Sequence, residues 1–132
     1  MAFLTIEQIE DMESAAMDGD TNAQINMALL YAGGESVVRD YDKAVEFLVD
    51  AGANAQDYDT RQRVMSAASG VHEQLQREIS ESGLLSMFKQ KTAGEDISEF
   101  EHKLELNTRL LSTISEIMKD PGENYNDALR AG

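Results

Sequence analysis

The stretch Ala15–Ala55, AAMDGDTNAQINMALLYAGGESVVRDYDKAVEFLVDAGANA, decides how this chain is read. Small residues recur through it at Ala15-Ala16, Gly19, Ala23, Ala28, Gly34, Ala44, Ala51-Gly52 and Ala55, interleaved with Met27, Tyr31, Val37 and Phe47. The small pair at 15–16 returns at 51–52, about 36 residues later, which is the period of a helix-turn-helix unit in an α-solenoid. Small side chains let two antiparallel helices approach closely, while Tyr31 and Phe47 fill the space between them and Gly34 permits the reversal of the chain. None of these residues is a reactive group.

At these positions the chain resembles the Sel1-like repeat, a relative of the tetratricopeptide repeat whose pattern runs roughly A-x-x-x-L-G-x-x-Y-x-x-G-x-G-V-x-x-D-x-x-K-A. Ala23, Met27 in place of leucine, Ala28 in place of glycine, Tyr31, Gly34, Val37, Asp40, Lys43 and Ala44 stand at the matching offsets. Ser36 replaces the second loop glycine, Phe47 the usual tryptophan, and Gly52 and Ala55 the second alanine and the glycine of the closing A-A-x-x-G. The likeness covers one repeat and the tail of a preceding one. It implies a protein-binding scaffold without catalytic activity. Because such units bury their apolar faces only against neighbours, the remainder of the chain is expected to supply the missing packing.

The expected fold is therefore all-α and a single domain over 1–132, with the repeat region at 5–56, a hairpin of long helices at 60–120 and a tail at 121–132. A capping box of Thr5 with Gln8 opens a first helix whose apolar stripe is Ile6, Ile9, Met12 and Ala16, ending near Gly19. Asp20 or Thr21 caps a second helix, with Ala23, Met27, Leu30 and Tyr31 on one side and Gly33-Gly34 as its stop. Asp40 caps a third, with Ala44, Phe47, Leu48 and Ala51 inward and Gly52 as its stop. Beyond residue 59, Val64, Ala68, Val71, Leu75 and Ile79 alternate in steps of four and three, which predicts a long helix to about Ser82 with Gly70 as a site of bending or close helix contact. Gly83 is expected to set off a short amphipathic piece at 84–88, followed by Lys89, Lys91 and a flexible link at 92–94. For the tail, with Tyr125, Ala128 and Leu129, the sequence leaves a frayed end and a docked helix equally open.

The last long helix carries the clearest periodicity. Ile97, Phe100, Leu104, Asn107, Leu111, Ile114 and Met118 keep a strict alternation of three and four over a rod of about 35 Å. This seam reads either as the contact with residues 60–82 in an antiparallel hairpin or as a coiled-coil self-association surface of a homodimer, with Asn107 setting register.

Twenty-five acidic and eleven basic residues give a net charge of −14. Residues 1–59 hold thirteen acids against Arg39 and Lys43, so the repeat half is the acidic half. Such a field repels phosphate backbones and steers basic partners, which argues against direct nucleic-acid binding. The same acids also serve solubility. The face expected to meet a protein partner with a basic surface comprises Glu35, Asp40, Asp42, Glu46, Asp50, Asp57 and Asp59, with Tyr41 and Tyr58 as amphipathic anchors. A cap role accounts for Asp40 as well.

No cysteine occurs, which excludes a disulfide framework, a thiolate zinc site and a cysteine nucleophile. The opening Met-Ala-Phe-Leu-Thr-Ile-Glu lacks a basic region, and no segment reaches the roughly 20 apolar residues that span a bilayer, so a cytoplasmic protein is expected. Asp18-Gly19-Asp20-Thr21-Asn22 imitates the start of an EF-hand, yet Ala23 stands where the turn glycine belongs and Leu29 where the bidentate glutamate belongs. The segment reads as helix caps. His72 and His102 are expected to be solvated, with no metal-ligand spacing. There is no phosphate loop and no nucleophile elbow, so neither catalytic residues nor a cofactor are assigned.

Size, charge and a solitary repeat together suggest a small acidic inhibitor or adaptor that works by protein–protein interaction. Alternatives within that class are an immunity protein that neutralises a toxin, or a phage or plasmid anti-defence protein, of anti-CRISPR or anti-restriction type, that blocks a nucleic-acid-binding surface.

Overall fold

The computed structural model describes residues 4–88 and 94–122, with side chains described outside 82–98. Among these residues the chain forms five α-helices: α1 (Ile6–Met17), α2 (Thr21–Gly33), α3 (Tyr41–Asn54), α4 (Tyr58–Phe88) and α5 (Gly94–Lys119). The expected Lys89, Lys91 and 92–93 link, the side chains at 84–88 and at Ile97, and the 123–132 tail lie outside the described residues.

The helix starts follow local chemistry. Thr5 Oγ1 accepts the Gln8 amide at 3.1 Å and Gln8 Oε1 accepts the Thr5 amide at 2.9 Å, which completes the capping box of α1. Asp20 accepts the Ala23 amide and Asp40 the Lys43 amide, each at 3.2 Å, and the Asp57 carboxylate accepts the Thr60 amide at 3.1 Å. Gly34 ends α2 in the left-handed region at φ 71°, where a side chain would be strained. Two arginines satisfy exposed helix ends: Arg39 donates to the carbonyls of Ala32 and Gly33, and Arg61 to that of Ala55 at 2.8 Å.

Short connections make α1, α2 and α3 successive antiparallel neighbours. Gln24 at the start of α2 donates to the Ala16 carbonyl at 3.0 Å and accepts from Asn54 at the end of α3. Tyr31 at the other end of α2 stacks on Phe47, ring centroids 6.2 Å apart, so this pair fills the inter-helix space as expected. The helix α2 is covered from several sides: Ala23, Gln24, Ile25, Met27, Ala28, Tyr31 and Ala32 are all buried, a wider set than the one stripe expected. Its third neighbour is α4, whose Gln74 donates to the Ala32 carbonyl at 2.9 Å.

Long helices α4 and α5 form the antiparallel hairpin that closes the core. Val64, Ala68, Val71, Leu75 and Ile79 are buried as the periodicity predicts, alongside Leu48, Val45 and Met27 of the repeat region. Several expectations need correction. Gly83 does not separate a second helix, because α4 continues through it to Phe88. Gly70 is exposed, and a Cβ there would meet nothing within 4 Å, so it marks no close helix contact. Gly52 is no stop. It is buried inside α3, where a Cβ would come within 2.9 Å of Thr113 Cγ2 on α5. Ile6, expected in the stripe of α1, is 77 % exposed.

The buried side of α5 also differs from the expected seam. Leu106, Asn107, Leu110 and Ile117 are buried and Ile114 is half-buried, whereas Leu104, Leu111 and Met118 face outward. Phe100 is half-buried. The reason is that α5 lies against both α3 and α4, as the Gly52–Thr113 approach and the Asn107 contacts with α4 show. A helix with two neighbours turns a broad stripe inward, centred between them, and not the narrow seam of a two-stranded coil.

Candidate functional site

Acidic residues that are close in sequence need not share a surface, because each helix turn rotates successive side chains by about 100°. The nine residues expected to form one partner-binding face divide accordingly. Asp40 and Asp57 are helix caps, and the Thr60 hydrogen bonds hold the Asp57 carboxyl below its ordinary range. Asp42 reaches α5, where its carboxylate accepts from His102 Nε2 at 2.6 Å. Tyr41 is half-buried and donates its hydroxyl to the Glu78 carboxylate of α4. Burial and that carboxylate push its pKa up to about 12. Tyr58 is half-buried at the first turn of α4, and Glu35 and Asp59 are exposed. Asp57 lines a smaller hollow of about 350 Å³ with Asp20 and Asn22, while Glu46 and Asp50 line a larger concavity.

That concavity is a groove of about 570 Å³ between the end of α1, the start of α2 and one face of α3. Ala16 and Gln24, both buried, belong to its lining, and Phe47 supplies an apolar, half-buried wall. Carboxylates of Glu13, Asp18, Glu46 and Asp50 surround it, with Lys43 as the cation among its lining residues. Lys43 sits over the Tyr31 ring, its Nζ 5.1 Å from the centroid. The Tyr31 hydroxyl donates to Glu13 at 2.9 Å, and burial together with that carboxylate raises the Tyr31 pKa. One side of the groove is thus held by a Glu13–Tyr31–Lys43 chain, while Glu46, Asp50 and Asp18 project from exposed positions.

Sequence reasoning found two of the four groove carboxylates. Glu13 lies in α1 and Asp18 caps its end, before the repeat motif; the sequence assigned Asp18 only a cap and singled out Glu13 for nothing. Their role at the groove depends on α1 folding back along α2. Met17, 76 % exposed at the rim, was missed for the same reason.

The histidines are not merely solvated, as had been expected. His102 pairs with Asp42, and His72 is half-buried with Nδ1 2.6 Å from Asn107 Oδ1. Asn107 Nδ2 in turn donates to Gln76 Oε1 at 3.0 Å, so His72 Nδ1 carries a hydrogen toward the amide oxygen. Asn107, expected to set the register of a self-association seam, bridges α4 and α5 inside the chain through His72 and Gln76. Asp18 and Asp20 serve as caps at the ends of α1 and α2, in keeping with the reading of that segment. Among the described residues no three His, Cys, Asp or Glu side chains converge as metal ligands, and no helix is long and apolar enough to cross a membrane.

Fold and site together define an all-helical protein whose most distinctive concave surface is acidic with an apolar wall. No protein-family model matches the chain, and no curated protein or solved structure matches it.

Proposed function

We propose that this protein is a non-catalytic protein-binding module, an acidic inhibitor or adaptor, whose groove between α1 and α3 receives a basic segment of a partner protein. The observation that carries the reading is the ring of Glu13, Asp18, Glu46 and Asp50 around a concavity walled by Phe47. Carboxylates at the edge steer and orient a cationic segment, while an aromatic wall offers apolar area to its aliphatic stems. The α1–α3 region is read here as a Sel1-like unit. Its support is the placement of the motif residues: Ala23, Met27, Ala28 and Ala44 buried between helices, Tyr31 stacked on Phe47, Gly34 left-handed and Asp40 at a cap.

The test uses a fluorescently labelled peptide of alternating lysine, arginine and leucine, followed by anisotropy. Two double variants carry the same change in net charge: Glu46→Lys with Asp50→Lys in the groove, and Glu35→Lys with Asp59→Lys outside it. The groove variant is expected to lose affinity at least tenfold, about 1.4 kcal/mol, with a shallower salt dependence, while the outer variant stays near the parent. Equal losses in both would reduce the interaction to the bulk field of the chain and remove the groove from the account.

A further inference from the structure

A second surface is left over once the core and the groove are accounted for. Leu104, Leu111 and Met118 recur every seven residues along α5 and are 41 %, 46 % and 70 % exposed. Seven residues make nearly two turns, so the three side chains form a straight line about 21 Å long beside the α4 contact. The buried Asn107 and the half-buried Ile114 of the same helix belong to one flank of this line. Glu101, Glu105 and Lys119 lie on the other flank, roughly 80 to 120° round from Leu111, and all three are exposed.

We propose that α5 pairs antiparallel with α5 of a second copy of this chain, across a two-fold axis at Leu111. In that register Leu104 meets Met118 of the second copy and Leu111 meets its own equivalent, so the apolar line covers itself. Charge selects the direction. Antiparallel pairing brings like flanks together and sets Lys119 opposite position 103 of the other copy, midway between its Glu101 and Glu105. Parallel pairing would turn this charged flank toward the α4 side of the other copy and leave Lys119 about 21 Å or more along the axis from the Glu105 and Glu101 that it meets in the antiparallel pair. Thr108 and Ser115, both exposed, lie beside the apolar line, where their short side chains keep the two helices free to approach. Register is set by Leu111 and the flanking charges, since Asn107 is engaged with His72 and Gln76. Each copy carries a net charge of −14, so the dimer strengthens as salt screens the repulsion between the two chains.

Light scattering over a range of concentration and salt is expected to show the wild-type mass rising from 14.6 kDa toward twice that value. Leu111→Glu should hold the chain at the monomer mass with an unchanged far-UV circular dichroism spectrum. Lys119→Glu, an exposed change that spares the fold, should weaken the dimer at least tenfold, and Glu101→Lys with Glu105→Lys should restore it. The sequence contains no cysteine, so single introduced thiols report the direction. Oxidised Leu111→Cys is expected to form a disulfide-linked dimer and Met118→Cys to remain uncrosslinked. A wild-type monomer at every concentration overturns the proposal and leaves the apolar line to a different occupant. Efficient crosslinking of Met118→Cys, or a dimer that survives Leu111→Glu, overturns it as well.

Discussion

Gly52 and Gly70 both lie inside helices, and replacing each by alanine should have different consequences. At Gly70 the new Cβ meets nothing within 4 Å, so only helix propensity changes and Gly70→Ala should stabilise the fold by about 0.5–1 kcal/mol. At Gly52 the same gain is opposed by an overlap, because the Cβ would sit 2.9 Å from Thr113 Cγ2 and 3.8 Å from Val64 Cγ1. Thr113 is β-branched and helical, with few rotamers into which its methyl can retreat, so α3 and α5 must part. Overpacking of this kind costs about 1–3 kcal/mol, which places Gly52→Ala that far below Gly70→Ala. With an m-value of about 2 kcal/mol per molar urea, a gap of ~2 kcal/mol separates the two unfolding midpoints by about 1 M. Thr113→Ser deletes the opposing methyl, so in a double-mutant cycle it should recover most of the gap, read by circular dichroism in urea. Were Gly52→Ala to stabilise as much as Gly70→Ala, or Thr113→Ser to recover nothing, the close approach of α3 and α5 at this glycine would be refuted.

Three further outcomes follow from the same geometry. Asn107→Ala leaves His72 Nδ1 and Gln76 Oε1 without their partner at the α4–α5 contact and is expected to cost about 1–3 kcal/mol, with His72→Ala adding less than its separate effect; additive losses in urea unfolding would deny the network. The Tyr41 pKa is raised from 10 to about 12, so its contribution to stability is complete below pH 10 and is lost as pH rises toward 12. Wild-type urea midpoints should fall across that window relative to Tyr41→Phe, and parallel pH curves for the two proteins would count against the Tyr41–Glu78 contact. Gly122 has φ 102° and its added Cβ would lie 2.7 Å from the Gln56 carbonyl oxygen, so Gly122→Ala should destabilise by about 1–3 kcal/mol through loss of the contact between the segment after α5 and the start of α4. A melting temperature equal to wild type would contradict it.

The groove illustrates how far an acidic sequence can be read. Glu46 and Asp50 are four residues apart on one helix, so their shared face follows from helical spacing alone. Asp40, Asp42 and Asp57 looked equivalent to them in composition. The backbone amide of Lys43, the His102 ring and the backbone amide of Thr60 give those three different work. Caps are local patterns, as the sequence reading of Asp40 showed and as Asp57 before Thr60 equally allowed, whereas the His102 contact crosses 60 residues of chain.

Taken by itself, the sequence determined what is local: the helical class, the caps at Thr5 and Asp40 and, to within one residue, at Asp20, the stop at Gly34, the Tyr31–Phe47 filling and the buried stripe of α4. Each of these depends on residues within a few helical turns or within one helical pair, where spacing and side-chain type suffice. Tertiary structure alone decided the burial of α2 on several sides, the inward face of α5, the use of Gly52 as a contact and the joining of Glu13 and Asp18 to Glu46 and Asp50. Those depend on how many neighbours a helix has and in which directions they lie, and a periodic pattern records that a helix has an apolar side without recording how many partners share it.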